Sequence, residues 1–280
     1  MSILSQNLDY DRPVKLGEGV YWVGFADSEG RLQCNPYLII DWDEAVLIDG
    51  GSRPDFSTVM RKILQTGIEP HQISHLIYQH YDPDLCGSIP NLESVINTPT
   101  LQIVSQTENN HFITHYAPKS PLLCIDKMGG QLTLRSGRVL RFYRTPYAHS
   151  AGSFVTYDQA SGVLFTSDLF GSVGAFNYWR LFAEFDHACL HCKVAPPAHS
   201  DEPCEVTEEP CPWTGMHNFH RRVMPGNKPL HHAIQVIASI GARIVAPQHG
   251  SILHRVEDIA EAINRIKAMQ DIGIDGMDLG

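Results

Sequence analysis

Four strand-length apolar runs in this chain each lead into a residue that can bind a metal, and that pattern limits the fold more than any other feature. Ile73–Gln79 runs directly into His80-Tyr81-Asp82-Pro83-Asp84, and Arg138–Arg144 leads into a loop carrying His149. Gly162–Ser167 ends at Asp168, and Arg243–Ala246 is followed by Pro247-Gln248-His249-Gly250. Layered α/β proteins place their sites at such carboxyl ends of strands. Side chains at i, i+2 and i+4 of an extended segment point the same way, so His80, Asp82 and Asp84 can converge on one point. Taken alone, the pentapeptide reads equally well as turn chemistry around Pro83. Any one of these histidines alone reads as a core or loop residue. Four strand ends that each present a ligand type are much harder to obtain by accident.

The remaining pattern supplies the frame. Gly19–Ala26 reads as a strand, and Asn35–Trp42 and Glu44–Asp49 read as a hairpin turning over Trp42-Asp43. Helical spacing follows at Pro54–Thr66, Gly87–Asn97 and Gln106–Tyr116. Strands then recur at Arg138–Arg144, Ser153–Tyr157, Gly162–Ser167 and Arg243–Ala246, with helices at Leu230–Ile240 and Val256–Gln270. Two β-rich halves, each followed by helices, predict an α/β fold of two sheets packed face to face with helices outside. Residues 186–215 break the pattern, with four Cys, three His and five Pro, and read as an inserted loop. The rest of 1–280 reads as one domain, with residues 271–280 as a tail or linker.

Composition removes several classes of function. Lys+Arg number 21 against 31 Asp+Glu, a net charge of −10, which argues against nucleic acid as partner. Apolar residues at 43% and charged residues at 19% describe a chain with ample core. No apolar run approaches the roughly 20 residues of a membrane span. Met1–Tyr10 has neither the basic nor the apolar stretch of a secretory leader. Seven cysteines without a leader predict a cytoplasmic chain with reduced thiols or thiolate metal ligands.

The order of these motifs resembles the metallo-β-lactamase fold, and within it the flavodiiron proteins and their oxygen-binding di-iron relatives. The likeness runs from about Leu16 to His254. It includes Leu47-Ile-Asp-Gly50, Ser153-Phe-Val-Thr-Tyr-Asp158 and Ala246-Pro-Gln-His-Gly250. The flavodiiron pattern is His-x-Glu-x-Asp-His, then His, a bridging Asp and a final His. His80, Asp82, Asp84, His149, Asp168 and His249 match it, with Asp82 in place of Glu. The resemblance implies an αββα sandwich holding two iron ions, with an oxo or peroxo bridge between them. His80, Asp82, His149 and Asp168 would serve the first metal, and Asp84, Asp168 and His249 the second, about 3.5–4 Å away.

Two departures from the pattern stand out. Leu85 occupies the place of the second motif histidine, which leaves the second metal poor in ligands. The sequence also stops where a flavodoxin-like FMN domain would begin, so no FMN is expected in this chain. Zinc hydrolases of the same fold resemble His-x-His-x-Asp-His, dominated by neutral nitrogen ligands. Here three carboxylates accompany three imidazoles, a mixture suited to non-haem iron and dioxygen.

Other residues carry weaker signals. Cys189-x-x-Cys192 with Cys204 and Cys211 is a candidate second metal site, although its spacing matches no standard zinc pattern and free loop thiols explain it equally. His187 or His191 could fold over the di-iron site and replace the missing ligand. Tyr81 and Tyr147 lie within two residues of ligands and are candidates for proton donation or for a hydrogen bond to bound oxygen. Cys86 reads as a small buried thiol, and His111, His115, His231 and His232 read as surface residues.

The expectation is therefore a di-iron protein that binds dioxygen, an oxygen- or iron-sensor-like domain without its own FMN donor, working with a separate signalling partner. The alternative is an oxygen or nitric oxide reductase fed by a flavin or rubredoxin carrier, and a zinc hydrolase is the third reading. No membrane partner is expected, and a homodimer is left open.

Overall fold

The computed structural model describes residues 8–26, 33–173, 180–196, 202, 204 and 211–278. Its first sheet follows chain order: β1 (Val14–Gly17), β2 (Val20–Trp22), β3 (Tyr37–Asp41), β4 (Glu44–Ile48), β5 (Ile73–Ile77), β6 (Gln102–Ser105) and β7 (Leu122–Cys124). Pairing is antiparallel from β1 to β4 and parallel from β4 to β7. The second sheet is built from β8 (Gln131–Thr133), β9 (Val139–Arg144), β10 (Phe154–Asp158), β11 (Val163–Phe165), β12 (Phe182–Ala183), β13 (Ile244–Ala246) and β14 (Ile252–Leu253). Across that sheet the order is β12-β14-β13-β11-β10-β9-β8.

The layering follows from the strand period of two. In β4, Val46 and Ile48 enter a core between the sheets, while Ala45 and Leu47 enter a second core on the outer face. In β11, Val163 and Phe165 face the other sheet, and Leu164 faces outward. Each sheet is thus apolar on both faces, and each outer face needs helices. On the first sheet these are α1 (Phe56–Gln65), α2 (Pro83–Cys86), α3 (Ile89–Ile96) and α4 (Thr107–Ile113). Val59 and Ile63 of α1 and Ile89 and Leu92 of α3 supply the facing side chains. On the second sheet, after the short α5 (His187–His191), lie α6 (Thr214–Val223), α7 (Asn227–Ile240) and α8 (Val256–Ala268). Met216, Ile234, Ile237 and Ile266 fill that outer core. Each fully buried side chain of this kind contributes about 1.5–3 kcal/mol. The result is the αββα sandwich that the resemblance implied.

Several differences from the sequence expectation have physical causes. Strands β6 and β7 are four and three residues long, too short to show alternation, and each forms on the parallel edge that the strand before it offers, β6 on β5 and β7 on β6. The 186–215 segment is not wholly loop: α5 lies inside it and α6 begins in it. Residues 271–278 do not trail away. Ile272 is fully buried and Asp275 accepts a hydrogen bond from the Asn227 backbone (2.6 Å), which fixes the start of α7. No helix among the described residues is long and apolar enough to cross a membrane.

Candidate metal centre

The six ligand candidates come from four loops, each at the carboxyl end of a strand, as their positions in the sequence suggested. Beyond β5, Gln79 is pinned to the buried Asp49: its backbone N–H donates to Oδ1 (3.1 Å) and its amide to Oδ2 (2.9 Å). That anchor starts the His80–Asp84 loop at a fixed place. Burial pushes the Asp49 carboxyl up to about 7, against the pull of His80 and the Gln79 hydrogen bonds. Asp49, Tyr147, His149, Ser167 and Phe170 all have positive φ. Left-handed backbone at non-glycine residues costs on the order of 1 kcal/mol each, and it is concentrated around this site.

Each imidazole is aimed by a hydrogen bond on its outer nitrogen. His80 Nδ1 lies 2.8 Å from Ser167 Oγ, His149 Nδ1 lies 3.3 Å from the Val223 carbonyl, and His249 Nδ1 lies 2.6 Å from the Gln33 carbonyl. A carbonyl only accepts, so Nδ1 carries the proton in His149 and His249, and Nε2 is the atom turned inward. His149 Nε2 sits 2.8 Å from Asp82 Oδ2, and His80 Nε2 is 3.8 Å from the same oxygen. His249 Nε2 is 3.3 Å from Asp84 Oδ2. Asp168 joins the two groups. Its Oδ1 is 3.7 Å from His80 Nε2 and 3.5 Å from His249 Nε2, while its Oδ2 is 3.9 Å from His149 Nε2.

Three groups of ligand atoms result, and His80, Asp82 and Asp84 of one loop form a group that links the other two. His80, His149 and Asp168 place ligand atoms within 4.8 Å of one another, with Asp82 alongside. Asp84 and His249 form the other set, and a residue that the sequence did not suggest completes it: Cys34.

Charge balance gives the fit test for a metal. Burial opposes a charged His149, yet the Asp82 hydrogen bond and the Asp168 charge raise it to about 9. Burial likewise opposes charge on His249, but Asp84 and Cys34 raise it well above its ordinary value. Burial would raise Asp84, but the His249 hydrogen bond and charge bring it down to about 2. Protons on two imidazoles therefore do the work of cations among crowded carboxylates, and a metal ion would displace them. Asp168 is 3% exposed and its Oδ1 has no hydrogen-bond partner. A buried carboxylate oxygen without a donor, facing two imidazole nitrogens, is what a pair of bound cations would satisfy. The residues fit two metal ions.

The weaker candidates separate. Tyr147 is 60% exposed, and the Tyr81 ring stacks on Phe112 with centroids 4.2 Å apart. Cys86 is buried and its thiol donates to the His80 carbonyl, as expected of a small buried thiol. His187 and His191 lie exposed on α5, their rings against each other, and do not cover the site. Cys189, Cys204 and Cys211 are buried in the outer core beside Trp213. Among the described residues, the sets of three or more ligand atoms within 4.8 Å of one another include no thiol of this insertion. His111, His115 and His232 are exposed, whereas His231 is part-buried and its Nε2 lies 2.9 Å from the Met269 carbonyl at the end of α8.

A family model described as ODP family beta lactamase matches residues 32–250. Diflavin flavoprotein A 1 of Synechocystis sp. is 31% identical over 137 residues, covering 49% of this chain and 23% of that protein. The chain thus spans about a quarter of the length of that curated relative. A solved structure of a peroxy diiron species of the chemotaxis sensor ODP aligns with TM-score 0.72 at 22% identity, covering 94% of this chain and 97% of that one. The rubredoxin oxygen:oxidoreductase of Desulfovibrio gigas aligns with TM-score 0.70 at 21% identity, covering 91% of this chain and 61% of that one. At these identities the two structures establish the fold.

Proposed function

This chain belongs to the ODP family beta lactamase group, and on that premise we propose that it is a non-haem di-iron protein that binds dioxygen. The observation that carries the proposal is the buried Asp168, which reaches His80 and His149 on one side and His249 on the other, and whose Oδ1 has no hydrogen-bond partner. His80, Asp82, Asp84, His149, Asp168 and His249 are the ligands in this reading. Two irons held there would supply the electrons and open coordination positions that dioxygen requires. The protein's own part is preorganisation. Ser167, Val223 and Gln33 lock the three imidazoles with Nε2 inward, and three carboxylates hold enough negative charge to favour iron over the nitrogen-rich zinc pattern. Leu85 is fully buried in the outer core with α1 and α3, so it offers neither a ligand nor a proton donor.

A sensor-like role is supported by the family match, since the chemotaxis sensor structure that the chain resembles is itself an ODP. In that role the output passes through a separate signalling or electron-transfer protein. Iron-loaded, chemically reduced protein mixed with oxygenated buffer should take up dioxygen once and then stop, as followed with an oxygen electrode. Addition of NADH with a flavin or rubredoxin carrier should give little continuing consumption. Sustained turnover with such a carrier, on dioxygen or nitric oxide, would make the protein a reductase instead.

A further inference from the structure

We propose that Cys34 is a protein ligand of the second metal position, completing a set with Asp84, Asp168 and His249. This inference rests on the two-metal reading above and refines it. Leu85 leaves that position one imidazole short, and the structure brings a thiol to it from a distant part of the chain.

The placement of Cys34 is over-determined. Asn35 clamps the segment onto the His249 loop: its backbone N–H donates to the Gln248 carbonyl (2.8 Å), and its side-chain amide donates to the carbonyls of Pro247 (3.1 Å) and Gly250 (3.0 Å). On the other side of Cys34, the Gln33 carbonyl orients His249. Cys34 is 2% exposed, with Sγ 3.7 Å from Asp84 Oδ2 and within 4.8 Å of the ligand nitrogen of His249.

The spacings suit a shared cation. With metal–sulfur near 2.3 Å and metal–oxygen or metal–nitrogen near 2.1 Å, neighbouring ligand atoms of one ion lie about 3.0–3.6 Å apart, from octahedral to tetrahedral angles. The corresponding separations are 3.7 Å for Cys34–Asp84, 3.3 Å for His249–Asp84 and 3.5 Å for His249–Asp168. Asp168 Oδ1 is buried without a hydrogen-bond partner and lies 3.5 Å from His249 Nε2, so a second, independent observation calls for a cation beside this group. Burial alone does not require the thiol to sit within reach of both a carboxylate, Asp84, and an imidazole, His249.

The test is anaerobic titration of the metal-free full-length protein with cobalt(II). It reads cobalt per chain by elemental analysis and thiolate-to-cobalt charge transfer by near-ultraviolet absorbance. The native chain should bind two cobalt ions with a thiolate band. Cys34→Ser should lose the band and bind one of the two ions at least about tenfold more weakly. Cys189→Ser with Cys192→Ser should keep both. X-ray absorption on the native cobalt protein, showing a sulfur scatterer near 2.3 Å, keeps the proposal testable if Cys34→Ser misfolds. Two bound ions with no thiolate band, or a band that survives Cys34→Ser, would overturn the proposal and leave the two-metal reading intact. Binding of fewer than two ions by the native chain would overturn that reading and the proposal with it.

Discussion

Asp168→Ala should take metal content from close to two ions per chain to nearly none. Asp168 is the one ligand candidate within ion-pairing distance of His80, His149 and His249 together, so its removal takes a ligand from each metal position at once. Loss of even an outer partner of a metal ligand weakens affinity about 10–100-fold, and loss of a shared ligand should exceed that at both positions. The substitution should be gentle on the fold. Asp168 Oδ1 has no hydrogen-bond partner to lose, and the imidazoles that Asp168 helps to keep protonated can shed a proton once it is gone, so no charge is stranded in the metal-free protein. Circular dichroism of Asp168→Ala should therefore match the native chain while elemental analysis does not. Retention of two ions would show that the two ligand sets are independent and that Asp168 does not bridge them.

Asp158→Ala should destabilise the metal-free protein by about 3–5 kcal/mol, the usual cost of stranding one member of a buried ion pair. Asp158 is fully buried at the end of β10, and its Oδ1 accepts from Arg138 Nε at 2.9 Å. Its other oxygen accepts from the Ser161 backbone and hydroxyl, which closes the turn into β11. Arg138 also donates to the Glu18 carbonyl (2.9 Å), so the pair ties the second sheet to the β1–β2 turn of the first. Without Asp158 the guanidinium stays in an apolar surrounding with carbonyl partners alone. Urea titration followed by tryptophan fluorescence reads the shift in midpoint. Replacing both partners, Arg138→Met with Asp158→Val, should recover much of the loss, because neither charge is then stranded. A cost below about 1 kcal/mol for Asp158→Ala would mean that the pair is solvated in the native state.

The six main ligand candidates could be picked out because they stand in loops just beyond strands, and strands announce themselves by apolar period and length. The hairpin over Trp42-Asp43 was legible for the same reason, and Trp42 takes the left-handed conformation that a tight turn needs. Cys34 was not legible. It precedes β3 and reaches the site only through Asn35 bonds to residues more than 200 positions away, which no local spacing records. The helix α6 was hidden for another reason. Its buried residues are Thr214, Gly215, Met216, His217, Phe219 and His220, and two histidines stand where apolar residues would mark the period. His220 is fully buried because its ring satisfies the Met216 carbonyl at Nδ1 (2.7 Å) and accepts from the Phe170 backbone at Nε2 (3.1 Å). Burial pushes that imidazole down to about 4, so it stays neutral and acts as a polar core residue beside Asp168.

The central claim is that this fold holds a pair of irons on three imidazoles and three carboxylates. Elemental analysis of the full-length protein, purified anaerobically from iron-replete cells, tests it most directly. Close to two irons per chain, with zinc well below stoichiometric, is the expected result. Stoichiometric zinc in iron's place would contradict the account and turn the carboxylate-rich site toward hydrolysis.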